Sequence, residues 1–144
     1  MLRHEARLRW VAAVSAIYDG LVGIMMIAGR PIFARLFDVP LPVPPIHADL
    51  NGVFLLAVAT GYAIPYTEPG SRGGRMYMWV MGPLLKGGGA LAFLLDYYFR
   101  QSPASFLLFA LSDGTLAALT LWALLSKRAV AGLKPHAASA TSRG

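Results

Sequence analysis

Three ionisable side chains, Asp19, Lys86 and Asp113, stand inside long apolar runs, and each is followed directly by glycine. Asn51-Gly52 repeats the polar-glycine pair in a further run. Two carboxylates against one ammonium leave one carboxylate either unpaired or protonated, an arrangement that suits proton exchange or binding of a cationic group. The same side chains also suit a structural role, as a buried ion pair or triad that fixes helix register. Tyr18 adds a hydroxyl next to Asp19, and Asp96 lies further along the run that holds Lys86. His47 and Asp49 sit together at the start of the Asn51 run and carry the atoms to bind a metal or relay a proton. A loop histidine capping a helix start is the favoured explanation of that pair, since two ligands make a weak metal signal. No metal is expected.

Other chemistry is excluded by residue type. The chain has no cysteine, which removes disulfides, thiol nucleophiles, iron–sulfur clusters and Cys-based zinc sites. Its histidines are His4, His47 and His136, and only His47 lies near an apolar run, so a bis-histidine haem is not expected. No G-x-S-x-G, H-E-x-x-H or P-loop pattern occurs. Gly87-Gly88-Gly89 lies within an apolar run and not at a strand-to-helix turn, so it does not read as a phosphate cradle. No cofactor is expected.

The elements that position these side chains follow from composition. Of 144 residues, 56% are hydrophobic and 14% charged, against roughly a quarter charged in soluble domains. A bilayer core about 30 Å thick needs roughly 20 apolar residues. Runs at about 10–28, 49–65, 76–99 and 106–125 meet that length. Each must satisfy its own backbone hydrogen bonds in lipid, so each reads as a helix. The expected fold is all-α, a polytopic membrane protein with a four-helix transmembrane bundle over residues 1–128. Ala12, Ala16 and Gly20 form one small-residue stripe, and Ala110, Gly114 and Ala118 another; such stripes let helices approach closely in lipid. The polar-glycine positions are therefore expected to face the bundle interior together. Pro83 frees the carbonyl of Trp79 and makes the third span the one expected to kink.

Orientation follows from basic residues in short loops. With the N-terminus cytoplasmic, that side holds Arg3, Arg7, Arg9, Arg72, Arg75, Lys127, Arg128, Lys134 and Arg143, and the other side Arg30, Arg35 and Arg100. Nine against three places both termini in the cytoplasm, and the inner membrane of a bacterium is the expected location. Trp10, Tyr66, Trp79 and Trp122 then mark the inner interface, with Tyr97 and Tyr98 at the outer. The formal net charge of +6 flanks helices and forms no single patch, which argues against nucleic-acid binding. The first run lacks an A-x-A site and carries Asp19, so it reads as a retained anchor and not a cleaved signal.

In the first connection, Ile32, Phe33, Leu36 and Phe37 have amphipathic spacing, which predicts a short surface helix. Pro40, Pro42, Pro44 and Pro45 then return the chain in extended geometry. That connection is either a stiff connector or a lid over an outward-facing pocket. Residues 67–74 read as a Pro/Gly turn, 100–103 as a tight hairpin link, and 129–144 as a disordered basic cytoplasmic tail.

Tyr18-Asp19-x-x-x-Gly23, Asn51-Gly52-x-x-Leu55-Leu56, Leu85-Lys86-Gly87 and Asp113-Gly114 resemble small bacterial four-helix membrane proteins of the DoxX-like kind, over about residues 8–126. The resemblance implies a membrane subunit beside other chains, and it transfers no catalytic residue. Asp19 also stands where small multidrug transporters place a carboxylate, but the charge bias opposes their dual topology. Lack of cysteine excludes vitamin K epoxide reductases. Asp19, Asp113 and Tyr18 mimic the acid-near-aromatic sites of sterol-isomerase-like proteins without sharing a motif. The leading reading is a non-catalytic subunit or small lipophilic-ligand-binding component, in the bilayer and within a larger complex or homo-oligomer. The alternatives are an intramembrane acid–base enzyme on a lipophilic substrate, with Asp19 or Asp113 as the proton carrier, and a proton-coupled transporter.

Overall fold

The computed structural model describes residues 2–131, and all regular structure among them is helical. Helix α1 spans Leu2–Ala28, α2 Arg30–Phe37, α3 Ile46–Gly61, α4 Ala63–Thr67, α5 Arg72–Trp79, α6 Gly87–Arg100 and α7 Leu107–Ala131. A π-helical stretch, Val80–Lys86, joins α5 to α6, and a 3₁₀ turn, Ala104–Phe106, precedes α7. Arg3–Ala28, Ile46–Thr67, Arg72–Arg100 and Ala104–Ser126 are each long and apolar enough to cross a membrane, which makes this a multi-pass membrane protein.

The helices outrun the predicted spans. Arg3, Arg7 and Arg9 lie on α1 itself and not on a preceding segment. The expected turn at 67–74 shrinks, because Ser71 caps α5: its Oγ accepts from the Gly74 N–H at 2.9 Å. The last helix reaches Ala131, three residues into the expected tail, and residues 132–144 lie outside the described residues. Around Pro83 the third span widens into π-helix and does not break. Proline has no N–H to give the fourth carbonyl back and its ring crowds that carbonyl, so a wider turn relieves both. Lys86 is the last residue of that stretch.

Among the described residues two non-glycine residues adopt the left-handed region, and both end helices. Asp38 (φ 51°) closes α2, and Gln101 (φ 55°) closes α6. Asp38 suits the role because its short polar side chain tolerates that conformation. Gln101 does so at some cost, imposed by the short link to α7.

Packing divides the bundle into two halves. Near the short 68–71 turn, Leu8, Val11, Ala12, Val58, Tyr62, Met78, Ala123 and Leu124 form a closed core. Helix α1 packs along α3, α7 packs along the third span, and α1 and α7 touch each other. Close approach depends on glycine. A Cβ on Gly23 would stand 2.9 Å from the Gly52 carbonyl oxygen, and one on Gly52 would stand 2.8 Å from that of Gly23. In contrast, α3 and α6 scarcely touch, and a cavity opens between them toward the long-loop end. Ile17, Leu21, Ile24, Leu111 and Leu121 are exposed on the bundle surface, where lipid is the solvent.

At the long-loop end, α2 folds inward. Ala34 is buried, and Phe37 and Phe33 stand 4.7 and 5.9 Å from the Phe109 ring of α7. Ser105 Oγ donates to the Phe37 carbonyl, tying α2 to the start of α7. Arg30 Nη1 meets Asp49 Oδ1 at 3.0 Å, with both side chains about a third exposed (33% and 34%). A pair so exposed contributes little, so Asp49→Asn is expected to cost under about 1 kcal/mol in a denaturant titration.

Candidate functional site

Lys86 is the centre of the polar cluster. Its Nζ donates to Asp19 Oδ1 at 2.5 Å and lies 3.7 Å from Asp113 Oδ1. The ammonium also sits 4.8 Å from the centroid of the Tyr18 ring, within cation–π range. Exposure separates the two carboxylates. The side chains of Asp19 and Lys86 are 2% and 5% exposed, and that of Asp113 is 17% exposed. Asp19 is thus sealed against Lys86, whereas Asp113 presents an edge to the cavity.

Hydroxyls extend the cluster. The Tyr18 and Ser112 oxygens stand 2.7 Å apart. Ser112 Oγ also donates to the Leu108 carbonyl at 2.9 Å, one turn back on its own helix. On the closed side of the cluster, Ser15 Oγ, Asp19 Oδ2 and Tyr62 Oη are buried and have no hydrogen-bond partner among the described residues. A buried hydroxyl without a partner contributes its desolvation cost and little else. Ser15→Ala is therefore expected to leave unfolding free energy unchanged or raised, within about 1 kcal/mol; a larger loss would reveal a bond that Ser15 makes.

The cavity holds about 410 Å³. Its polar lining is Tyr18, Asp19, Asn51, Lys86 and Asp113. The walls are phenylalanines: Phe33 from α2, Phe54 from α3, Phe93 from α6, Phe106 before α7, and Phe109 on α7. Phe109 is their hub, with its ring 5.5 Å from Phe93 and 5.9 Å from Phe33. Beyond Phe33 and Phe106 a second chamber of about 390 Å³ continues to the long-loop end, lined by Arg30, His47 and the prolines Pro40 and Pro42. Asn51, Met26, Phe33 and Phe106 border both chambers.

The structure brings Asp19, Lys86, Asp113 and Tyr18 into one cluster and sets Asn51 on the same cavity. It does not bring Asp96 there. That carboxylate accepts from Arg100 Nη1 at 3.2 Å, one turn away, and from Ser102 Oγ, so it serves the end of α6. His47 and Asp49 separate as well: His47 lines the second chamber, and Asp49 is taken by Arg30. Among the described residues no group of three or more His, Asp or Glu gathers where it would hold a metal. The phenylalanine walls and Ser112 were not anticipated. Ser112 stands directly before Asp113, but a serine in an apolar helix ordinarily bonds its own backbone, as this one also does.

No protein-family model, no curated protein and no solved structure matches this chain.

Proposed function

We infer that this protein binds a small lipophilic molecule within the membrane and does no chemistry on it. A single observation carries the reading: a ligand-sized cavity with aromatic walls and a charged floor lies in the middle of four apolar helices. Close packing elsewhere, down to glycine against glycine, sets the cavity apart as a region where the bundle does not close on itself. Its seam between α3 and α6, flanked by the exposed side chains of Phe54 and Leu85, gives a bilayer-dissolved molecule a lateral way in.

Native mass spectrometry of the protein extracted gently from its own membrane tests this. The expected spectrum shows the chain carrying a bound lipophile, lost in Gly89→Phe, whose ring would occupy the cavity floor. A ligand-free chain in both forms would overturn the reading. A second chain copurifying at fixed ratio would support a subunit role, in line with the DoxX-like resemblance.

An acid–base enzyme is the second reading, favoured by Asp113 facing the cavity from beside an ammonium. Turnover of a lipophilic substrate by the purified protein, abolished in Asp113→Asn, would put it first. For location we propose the bacterial inner membrane with both termini cytoplasmic, on the nine-to-three distribution of basic residues. Reporter fusions at either end active only outside the cytoplasm would contradict it.

A further inference from the structure

We propose that the molecule this cavity takes is a lipophilic cation, an aromatic amine bound as its ammonium ion with its N–H groups on Asp113. The proposal rests on the reading of the cavity as a ligand site and adds the ligand's charge and donor chemistry.

Acid and base around the cavity do not match one to one. Its lining holds two carboxyl groups, Asp19 and Asp113, and one amine, Lys86. Lys86 is committed elsewhere. Its ammonium donates to Asp19 at 2.5 Å and stands over the Tyr18 ring, leaving Asp113 at 3.7 Å, outside hydrogen-bond distance. The Tyr18 hydroxyl stands 2.7 Å from Ser112 Oγ. Asp113 therefore shares with Asp19 an ammonium that lies closer to Asp19, and it presents a partly exposed carboxyl edge to the cavity, where a further donor can reach it.

Each class of ligand meets that acceptor differently. An anion would meet a lining that already holds two carboxyl groups. A neutral lipophile would leave both of them sharing the one ammonium. An ammonium ion supplies donors, and the surrounding phenylalanines offer it ring faces, which attract cations most strongly when water is excluded. The outer chamber raises no barrier to it, because the positive charge of Arg30 is balanced by Asp49.

The test compares two probes of one shape, 1-naphthylmethylamine and 1-naphthylmethanol, binding to the full-length protein in nanodiscs at neutral pH. The amine is expected to bind at least about tenfold more tightly than the alcohol. Asp113→Asn, which leaves the Asp19–Lys86 pair intact, is expected to erase that preference, with the amine-to-alcohol affinity ratio falling to within about twofold of one. Asp113→Glu keeps the charge and is expected to retain the preference, so a loss confined to Asn is not a folding defect. Equal or tighter binding of the alcohol by the native protein would overturn the cation proposal and leave the lipophile reading standing. Binding of neither probe, with the apolar naphthalene ring also excluded, would overturn both.

Discussion

Replacing Lys86 with methionine is expected to destabilise the protein by about 3–5 kcal/mol, the range for removing one partner of a buried ion pair. Methionine fills much of the same volume, so the loss reports charge and not packing. Asp19 would be left 1% exposed with no cation, and its Oδ1 would lose the bond from Nζ that it accepts at 2.5 Å. The remedy is specific. Asp19→Asn added to Lys86→Met removes the stranded charge and is expected to recover at least half of the loss. Asp113→Asn added instead is expected to recover less, because Asp113 is partly exposed and farther from Nζ. Unfolding titrations in mixed micelles, run as double-mutant cycles, check both couplings. A Lys86→Met protein within about 1 kcal/mol of the native one would mean that the cluster is hydrated or already neutralised.

Gly52→Val is expected to cost more than about 3 kcal/mol, or to prevent assembly. At this point α1 and α3 approach backbone to backbone. A Cβ at Gly52 would lie 2.5 Å from Ile27 Cγ1 and 2.8 Å from the Gly23 carbonyl oxygen. Ile27 can rotate away, but the carbonyl belongs to a helix and cannot move alone. Separating the two helices would forfeit dispersion contacts along their length, and in lipid no hydrophobic force compensates. Gly88 provides the control, since a Cβ there meets nothing within 4 Å. Gly88→Ala is expected to fall within about 0.5 kcal/mol of the native protein, as surface substitutions usually do. Thermal unfolding of the two variants side by side separates this local contact from a general intolerance of the helices to substitution.

The spans were legible because bilayer thickness imposes a length that the runs display directly. The charged cluster was legible for a related reason. A charge deep in lipid must find a partner, and Asp19, Lys86 and Asp113 were the charges at that depth. Asp96 stands apart from them: it lies near the end of its span, where Arg100 one turn on satisfies it. The π-helical stretch was not legible. Pro83 marked a disturbance, but whether the chain kinks or widens depends on what packs beside it, here Gly82 against Thr120. Nor was the cavity legible. It arises from α3 and α6 failing to meet, a property of two helices and not of either sequence. A phenylalanine in an apolar run reads the same whether it faces lipid, core or cavity. Phe33 and Phe37 were placed on a surface helix by their spacing, while their half-buried rings close against Phe109.

Photolabelling in the native membrane tests the ligand site most directly. A small apolar diazirine that partitions into lipid would be activated and its adducts mapped by mass spectrometry. If the cavity is a binding site, adducts concentrate on residues lining it, such as Leu55, Phe93 and Phe109, and fall away when unlabelled 1-naphthylmethylamine is added in excess. Adducts spread over lipid-facing positions such as Ile17, Leu21 and Leu111, with no saturable component in the cavity, would show that the space between α3 and α6 takes no ligand.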